Sequence, residues 1–222
     1  MVHTVHNVTN AVPAHPLDAK ITSGILFVLS GPSGVGKGTL CDRLITVSPE
    51  LVYSVSATTR TPRSGEKDGI HYFFKTREQF QAMIQSNELL EWAEYVGNYY
   101  GTPKSFVFET LQQGQDVILE IEVQGALQVK QQFPEAILLF VLPPSLEELQ
   151  QRIINRGTDS ENTIRKRMKV AAEELKLMNM YDYAVVNDDL NSACMQIKSI
   201  VTAEHSKAFR LSNVVNSWLE GV

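Results

Sequence analysis

The segment Gly31-Pro32-Ser33-Gly34-Val35-Gly36-Lys37 constrains this chain more than any other. It sets a glycine, a four-residue gap, a second glycine and a lysine directly after the apolar run Ile25-Leu26-Phe27-Val28-Leu29, which has the length and content of a buried parallel strand. The residues that follow suit a helix. In a strand, glycine loop and helix, the backbone amides can turn inward around anionic oxygens. The glycines permit the bend, and the helix N-terminus adds partial positive charge. Lys37 then brings a full cation to the β and γ phosphates of a nucleotide. Many such loops carry Ser or Thr after the lysine, where the hydroxyl touches magnesium. Here Gly38 holds that position and Thr39 comes one later. Either Mg2+ is held mainly through nucleotide phosphates and water, or Thr39 partly substitutes.

Further apolar runs at Val117-Ile118-Leu119-Glu120-Ile121, Ala136-Ile137-Leu138-Leu139-Phe140-Val141 and Tyr183-Ala184-Val185-Val186 alternate with helical stretches. They predict an α/β fold, a doubly wound parallel sheet with right-handed crossovers. Leu190, Ala193, Cys194, Ile197, Ile200 and Val201 follow helical spacing, with Asp188 or Asp189 as cap, so the chain is expected to end in an amphipathic helix on that sheet. Two regions interrupt the alternation. Residues 54–103 read as an inserted β-rich lobe around a helix near residues 77–87. Residues 150–170, with Arg152, Arg156, Arg165 and Arg167 about Gly157, read as a basic helix, turn and helix. The core then comprises residues 21–53, 104–149 and 171–222, preceded by a flexible extension of residues 1–20.

Composition excludes more than it selects. With 43% apolar and 20% charged residues the chain is that of a globular protein. Twenty basic against twenty-five acidic residues give a net charge of −5, which argues against general affinity for nucleic acid or an anionic membrane. No apolar stretch is long enough to span a bilayer, and the first twenty residues lack a basic start followed by an apolar run, so a cleaved secretory leader is not expected. Cys41 and Cys194 are the only cysteines, which fits a reduced cytoplasmic compartment. His3, His6 and His15 lack Cys or acidic partners at metal-binding spacing.

Arg60 and Arg63 lie three apart in a hydroxyl-rich segment, Ser54 to Glu66, and two guanidinium forks converge well on a phosphate dianion, aided by phenols from Tyr72 and Tyr100. This segment resembles the acceptor site of guanylate kinases. So do Glu91-Trp92, Gly97-Asn98-Tyr99-Tyr100-Gly101-Thr102, Val123-Gln124-Gly125-Ala126, Pro143-Pro144-Ser145-Leu146, Arg156-Gly157-Thr158 and Asn187-Asp188-Asp189, in order from about residue 24 to 205.

The resemblance implies a P-loop fold with an NMP-binding lobe and a helical lid, and an ATP-dependent enzyme that phosphorylates GMP or dGMP with Mg2+. Gly31, Pro32, Ser33, Gly34, Val35, Gly36, Lys37, Gly38 and Thr39 would bind ATP, with Asn187 near its base or ribose. Ser56, Arg60, Arg63, Glu66, Tyr72, Glu91, Tyr100 and Thr102 would bind GMP, the phosphate falling to Arg60, Arg63, Tyr72 and Tyr100 and the base to Ser56, Glu91 and Thr102. Glu122 joins this set, although the family usually has Asp there. Lys37, Arg156 and Arg167 would be catalytic, the two arginines folding over the transferring group.

Chemistry supports the base assignment independently of the resemblance. Guanine presents N1–H and its 2-amino group side by side, and one carboxylate can accept both, whereas adenine offers a bare acceptor at N1. Two other classes compete: an inactive module of this fold that recognises phosphorylated peptides, and a kinase for a phosphorylated sugar. The intact lysine loop disfavours the first, and Glu91 with Ser56 and Thr102 disfavours the second. The sequence leaves the oligomeric state open.

Overall fold

A computed structural model describes residues 23–95, 97–155 and 160–220. The expectations for residues 1–20, for the three N-terminal histidines and for Arg156 fall outside these residues.

The main sheet follows from alternation along its central strand. In β1 (Leu26–Ser30) every residue is buried, and successive side chains point to opposite faces. Phe27 and Leu29 join one apolar cluster, with Leu40, Leu44, Leu149, Ile153 and Ile197. Leu26 and Val28 join another, with Val107, Leu111, Ala126 and Val129. A strand buried on both faces needs helices on both faces, and the chain supplies them. The helix α1 (Lys37–Val47) leads to β2 (Leu51–Tyr53).

A second sheet then intervenes. It is built from β3 (Ala57–Thr58), β4 (Phe73–Phe74), β5 (Leu89–Tyr95) and β6 (Asn98–Pro103), with α2 (Arg77–Gln85) packed on it. The main fold resumes with α3 (Lys104–Gln112), β7 (Asp116–Glu120), α4 (Val123–Gln132), β8 (Ile137–Leu142), α5 (Leu146–Asn155), α6 (Glu161–Leu175), β9 (Tyr183–Val186) and α7 (Leu190–His205). The main sheet is parallel in the order β2-β7-β1-β8-β9, and the second is mixed in the order β4-β3-β6-β5. Strand order reverses about β1, so the crevice beyond its carboxyl end is where such sheets bind ligands.

Asp189 caps α7, accepting from Ser192 N at 2.8 Å, as one of the two expected aspartates. The chain does not end there. A 3-10 turn at Ala208–Leu211 and α8 (Ser212–Leu219) follow, with Phe209, Trp218 and Leu219 exposed. The expectation of a terminal α7 is corrected on that point. The second sheet has a small core, with Ala57, Phe80 and Leu89 fully buried. A capping box starts α2: Thr76 accepts from Gln79 N at 3.2 Å while Gln79 accepts from Thr76 N at 2.9 Å.

Candidate active site

Beyond β1 the chain turns tightly enough to need glycine. Gly31 has φ 147° and Gly36 has φ 95°. A Cβ on Gly31 would fall 2.4 Å from Val141 O in β8, and one on Gly36 would fall 2.7 Å from Asn187 Nδ2. A side chain on Gly31 would have to displace β8, and one on Gly36 would have to displace the Asn187 amide and hold a left-handed φ. Helix α1 begins at Lys37 with no side-chain cap and no acid in its first turn, so its N-terminal amides face the crevice without a competing carboxylate from their own helix. Lys37 is buried, and its Nζ donates to Gly31 O at 2.6 Å and lies 3.5 Å from Glu122 Oε2.

Long-range contacts brace this loop. Asn187 Nδ2 donates to Val35 O at 2.9 Å, and Arg152 Nη1 donates to Asn187 O at 3.0 Å. Arg167, from α6, donates to Ser33 Oγ at 2.6 Å. Arg165, in contrast, is exposed and paired only loosely with Glu161, at 3.8 Å. The arginine-rich segment thus divides, with Arg152 and Arg167 turned to the loop and Arg165 to solvent.

Below Lys37 lies a carboxylate that the sequence reading left out. Glu120, at the end of β7, accepts from Tyr53 Oη at 3.2 Å, and its oxygens would stand 3.5 and 3.6 Å from a Cβ on Gly38. Burial raises its pKa, and Lys37 partly offsets that. Its place at the carboxyl end of a strand beside the loop was the available signal. Tyr53, 67 residues away, had none.

The second sheet gathers the other expected residues. Arg60 Nη2 donates to Glu66 Oε1 at 2.8 Å, and Glu66 Oε2 accepts from Arg63 N at 2.7 Å. The Arg60 bond, foremost, holds the Glu66 pKa down to about 2, so this carboxylate stays charged and fixes the guanidinium. Arg60 also sits over the Tyr72 ring, 5.4 Å from its centroid, and Tyr72 meets Tyr100 edge to face at 6.2 Å. Glu66 therefore contributes through Arg60. Ser56 is half-buried, and its backbone carbonyl accepts from Phe73 N at 2.9 Å.

Glu91, in β5, is more deeply buried than Glu66, Glu120 or Glu122. It is 7% exposed, accepts from Thr102 Oγ1 at 2.7 Å, and has no cation bonded to it among the described contacts. Burial pushes its pKa up to about 7 against the opposing pull of its Thr102 bonds. A charged carboxylate kept this dry is costly unless donors arrive to meet it.

The parallel sheet thus ends in a glycine loop braced by arginines from α5 and α6, and the second sheet presents Arg60, Arg63 and a buried carboxylate. The guanylate kinase family model matches residues 23–204. Guanylate kinases of Halalkalibacterium halodurans and Shouchella clausii are 61% and 60% identical, over 85% and 86% of this chain and 92% and 94% of theirs. The crystal structure of guanylate kinase from Anaplasma phagocytophilum superposes with a TM-score of 0.68 at 34% identity, covering 85% of this chain and 90% of that one. The chain belongs to the guanylate kinase family and is an ATP:GMP phosphotransferase. No helix among the described residues is long and apolar enough to cross a membrane.

Proposed function

We propose that GMP or dGMP binds against the second sheet, its base on Glu91, Thr102 and Ser56 and its phosphate on Arg60, Arg63, Tyr72 and Tyr100, while ATP lies in the cradle from Gly31 to Thr39. The observation that carries this reading is the buried Glu91 carboxylate, bonded to Thr102 and to no cation among the described contacts. Guanine N1–H and its 2-amino group are the two donors that would repay its desolvation. Glu66 holds Arg60 in place for the phosphate.

On the donor side, Lys37 leaves the Gly31 carbonyl to meet the β and γ phosphates. Arg167, already on Ser33, and Arg156 stabilise the charge that spreads over the transferring group. The acceptor phosphate is itself the nucleophile, so alignment, charge and exclusion of water suffice. Residues 54–103 and 150–170 act as acceptor lobe and lid, closing when both nucleotides are present. Asn187 shapes the donor loop through Val35, beside its inferred place near the ATP base or ribose.

Mg2+ fits the groups beside the loop, because Thr39 and Glu120 supply only hard oxygens, while Glu122 stays with the acceptor set. Among the described residues no group of three His, Cys, Asp or Glu side chains could hold the ion alone, so it would rest mainly on nucleotide phosphates and water. When bound, it supplies neutralising charge on those phosphates. Buried, unpaired Cys41 and Cys194 support a cytoplasmic setting.

The test is ADP release over a panel of AMP, GMP, CMP, UMP and phosphorylated sugars, for the parent and Glu91→Gln. The parent should prefer GMP. The variant should lose about a hundredfold in kcat/KM for GMP, because its amide NH2 opposes a guanine donor, and little for AMP. Parallel losses for both nucleotides would reassign Glu91 to support of the lobe.

A further inference from the structure

The glycine at position 125 has no conformational reason to be there. It is buried in the first turn of α4 and takes no left-handed φ, and a glycine inside a helix is less favourable than alanine. Space supplies the reason. A Cβ on Gly125 would stand 3.1 Å from Glu91 Oε2, 3.5 Å from Glu91 Cδ and 3.5 Å from Ile121 Cδ1. The carboxylate has little room to retreat. Oε1 is tied to Thr102 Oγ1 at 2.7 Å, and a Cβ on Gly101 would lie 2.7 Å from the Glu91 carbonyl, so the second sheet crowds its backbone too. The helix is itself fixed on β5, with Gln128 Oε1 accepting from Trp92 N at 3.3 Å.

We infer that Gly125 is a positioning residue for base recognition: its missing side chain is the space that lets the Glu91 carboxylate stand square to a purine carrying adjacent N1–H and 2-amino donors. The inference rests on the reading of Glu91 given above. An added methyl group pushes Oε2 sideways by a few tenths of an ångström, and the two donors of the base then no longer meet both oxygens in plane. ATP, held by other elements, does not sense the change.

Gly125→Ala should lower kcat/KM for GMP about ten- to a hundredfold, mostly through KM, with KM for ATP within about twofold of the parent. Thermal unfolding of the variant, in a cooperative transition near the parental midpoint, shows that the loss is not one of folding. Glu91→Asp withdraws the carboxylate by one methylene. It should cost activity alone, yet restore part of the GMP efficiency when combined with Gly125→Ala, since the shorter side chain clears the new methyl. GMP efficiency within twofold of the parent in Gly125→Ala, or losses that simply multiply in the double variant, would overturn the inference. If Glu91→Gln left the preference for GMP over AMP unchanged, the base-reading assignment itself would fail. A collapse in Glu91→Gln with a neutral Gly125→Ala would remove only the role of Gly125.

Discussion

The donor loop and the second sheet both gather anion-binding groups, yet they are built by opposite means. The loop is shaped by backbone. Its glycines abut β8 and Asn187, its carbonyls accept from Lys37, Asn187 and Arg152, and it rests on a strand buried on both faces. The second sheet is shaped by side chains over a core of three fully buried apolar residues, with Arg60, Glu66, Tyr72 and Tyr100 holding one another near the surface. Backbone fixed by a large core stays rigid while a ligand comes and goes. A small core under mutually held side chains can move as a unit and open locally at low cost. The difference suits the proposed site, in which one substrate is cradled and the other is carried.

The largest effect should come from removing the charge the loop was built around. Lys37→Ala is expected to lower turnover by about a thousandfold or more, with the thermal midpoint nearly unchanged, in coupled ADP-release and melting assays. Arg167→Ala should approach the same loss in kcat while changing KM for either nucleotide by less than about tenfold, since it acts on developing charge. Normal turnover in either variant would erase the contrast between the two regions.

Next in size is the second sheet's own core. Phe80 is fully buried and stacks on Tyr99 at 5.3 Å, so Phe80→Ala should weaken this region by about 3 to 5 kcal/mol. Amide exchange should then quicken in β3 to β6 and stay slow in β1, β7 and β8. Uniform quickening would show that the two sheets unfold as one.

The smallest effect sharpens the comparison through pH. In the unfolded chain Glu91 loses its proton near the ordinary glutamate value, and in the fold only near 7. Its folded pKa is raised, so the native state binds more protons between those values, and stability falls as pH climbs from about 4.5 to 7. The loss amounts to about 3 kcal/mol, complete above pH 7. Without nucleotide, Glu91→Gln should therefore melt higher than the parent at pH 8 and close to it at pH 4.5. Equal midpoints at pH 8 would mean that the carboxylate is solvated.

What the sequence disclosed follows the same division. The glycine loop, the strands bearing continuous apolar runs and the cap of α7, narrowed to Asp188 or Asp189, were legible because each is written in consecutive residues. The short β2 was not, since Leu51–Tyr53 offers three residues and no run. Nor was α8, which lies beyond the periodic stretch that seemed to close the chain. The pairing of Tyr53 with Glu120 and the reach of Arg152 to Val35 and Asn187 escaped for one reason: each joins positions far apart in the chain through a fold that must exist before the contact does. The resemblance named Glu91, but its dryness, on which the proposed selectivity rests, comes only from the packing of β5 under α4.

The bond from Asn187 to Val35 spans 152 residues, and that separation bears on how the protein is made. During synthesis the glycine motif leaves the ribosome on the order of ten seconds or more before the asparagine that locks it. A nascent or truncated chain can thus display the complete motif without its lock. Nucleotide capture at this loop should therefore mature only when the last strand joins the edge of the sheet, and proteolytic loss of that strand should cost ATP affinity even though every residue of the motif survives.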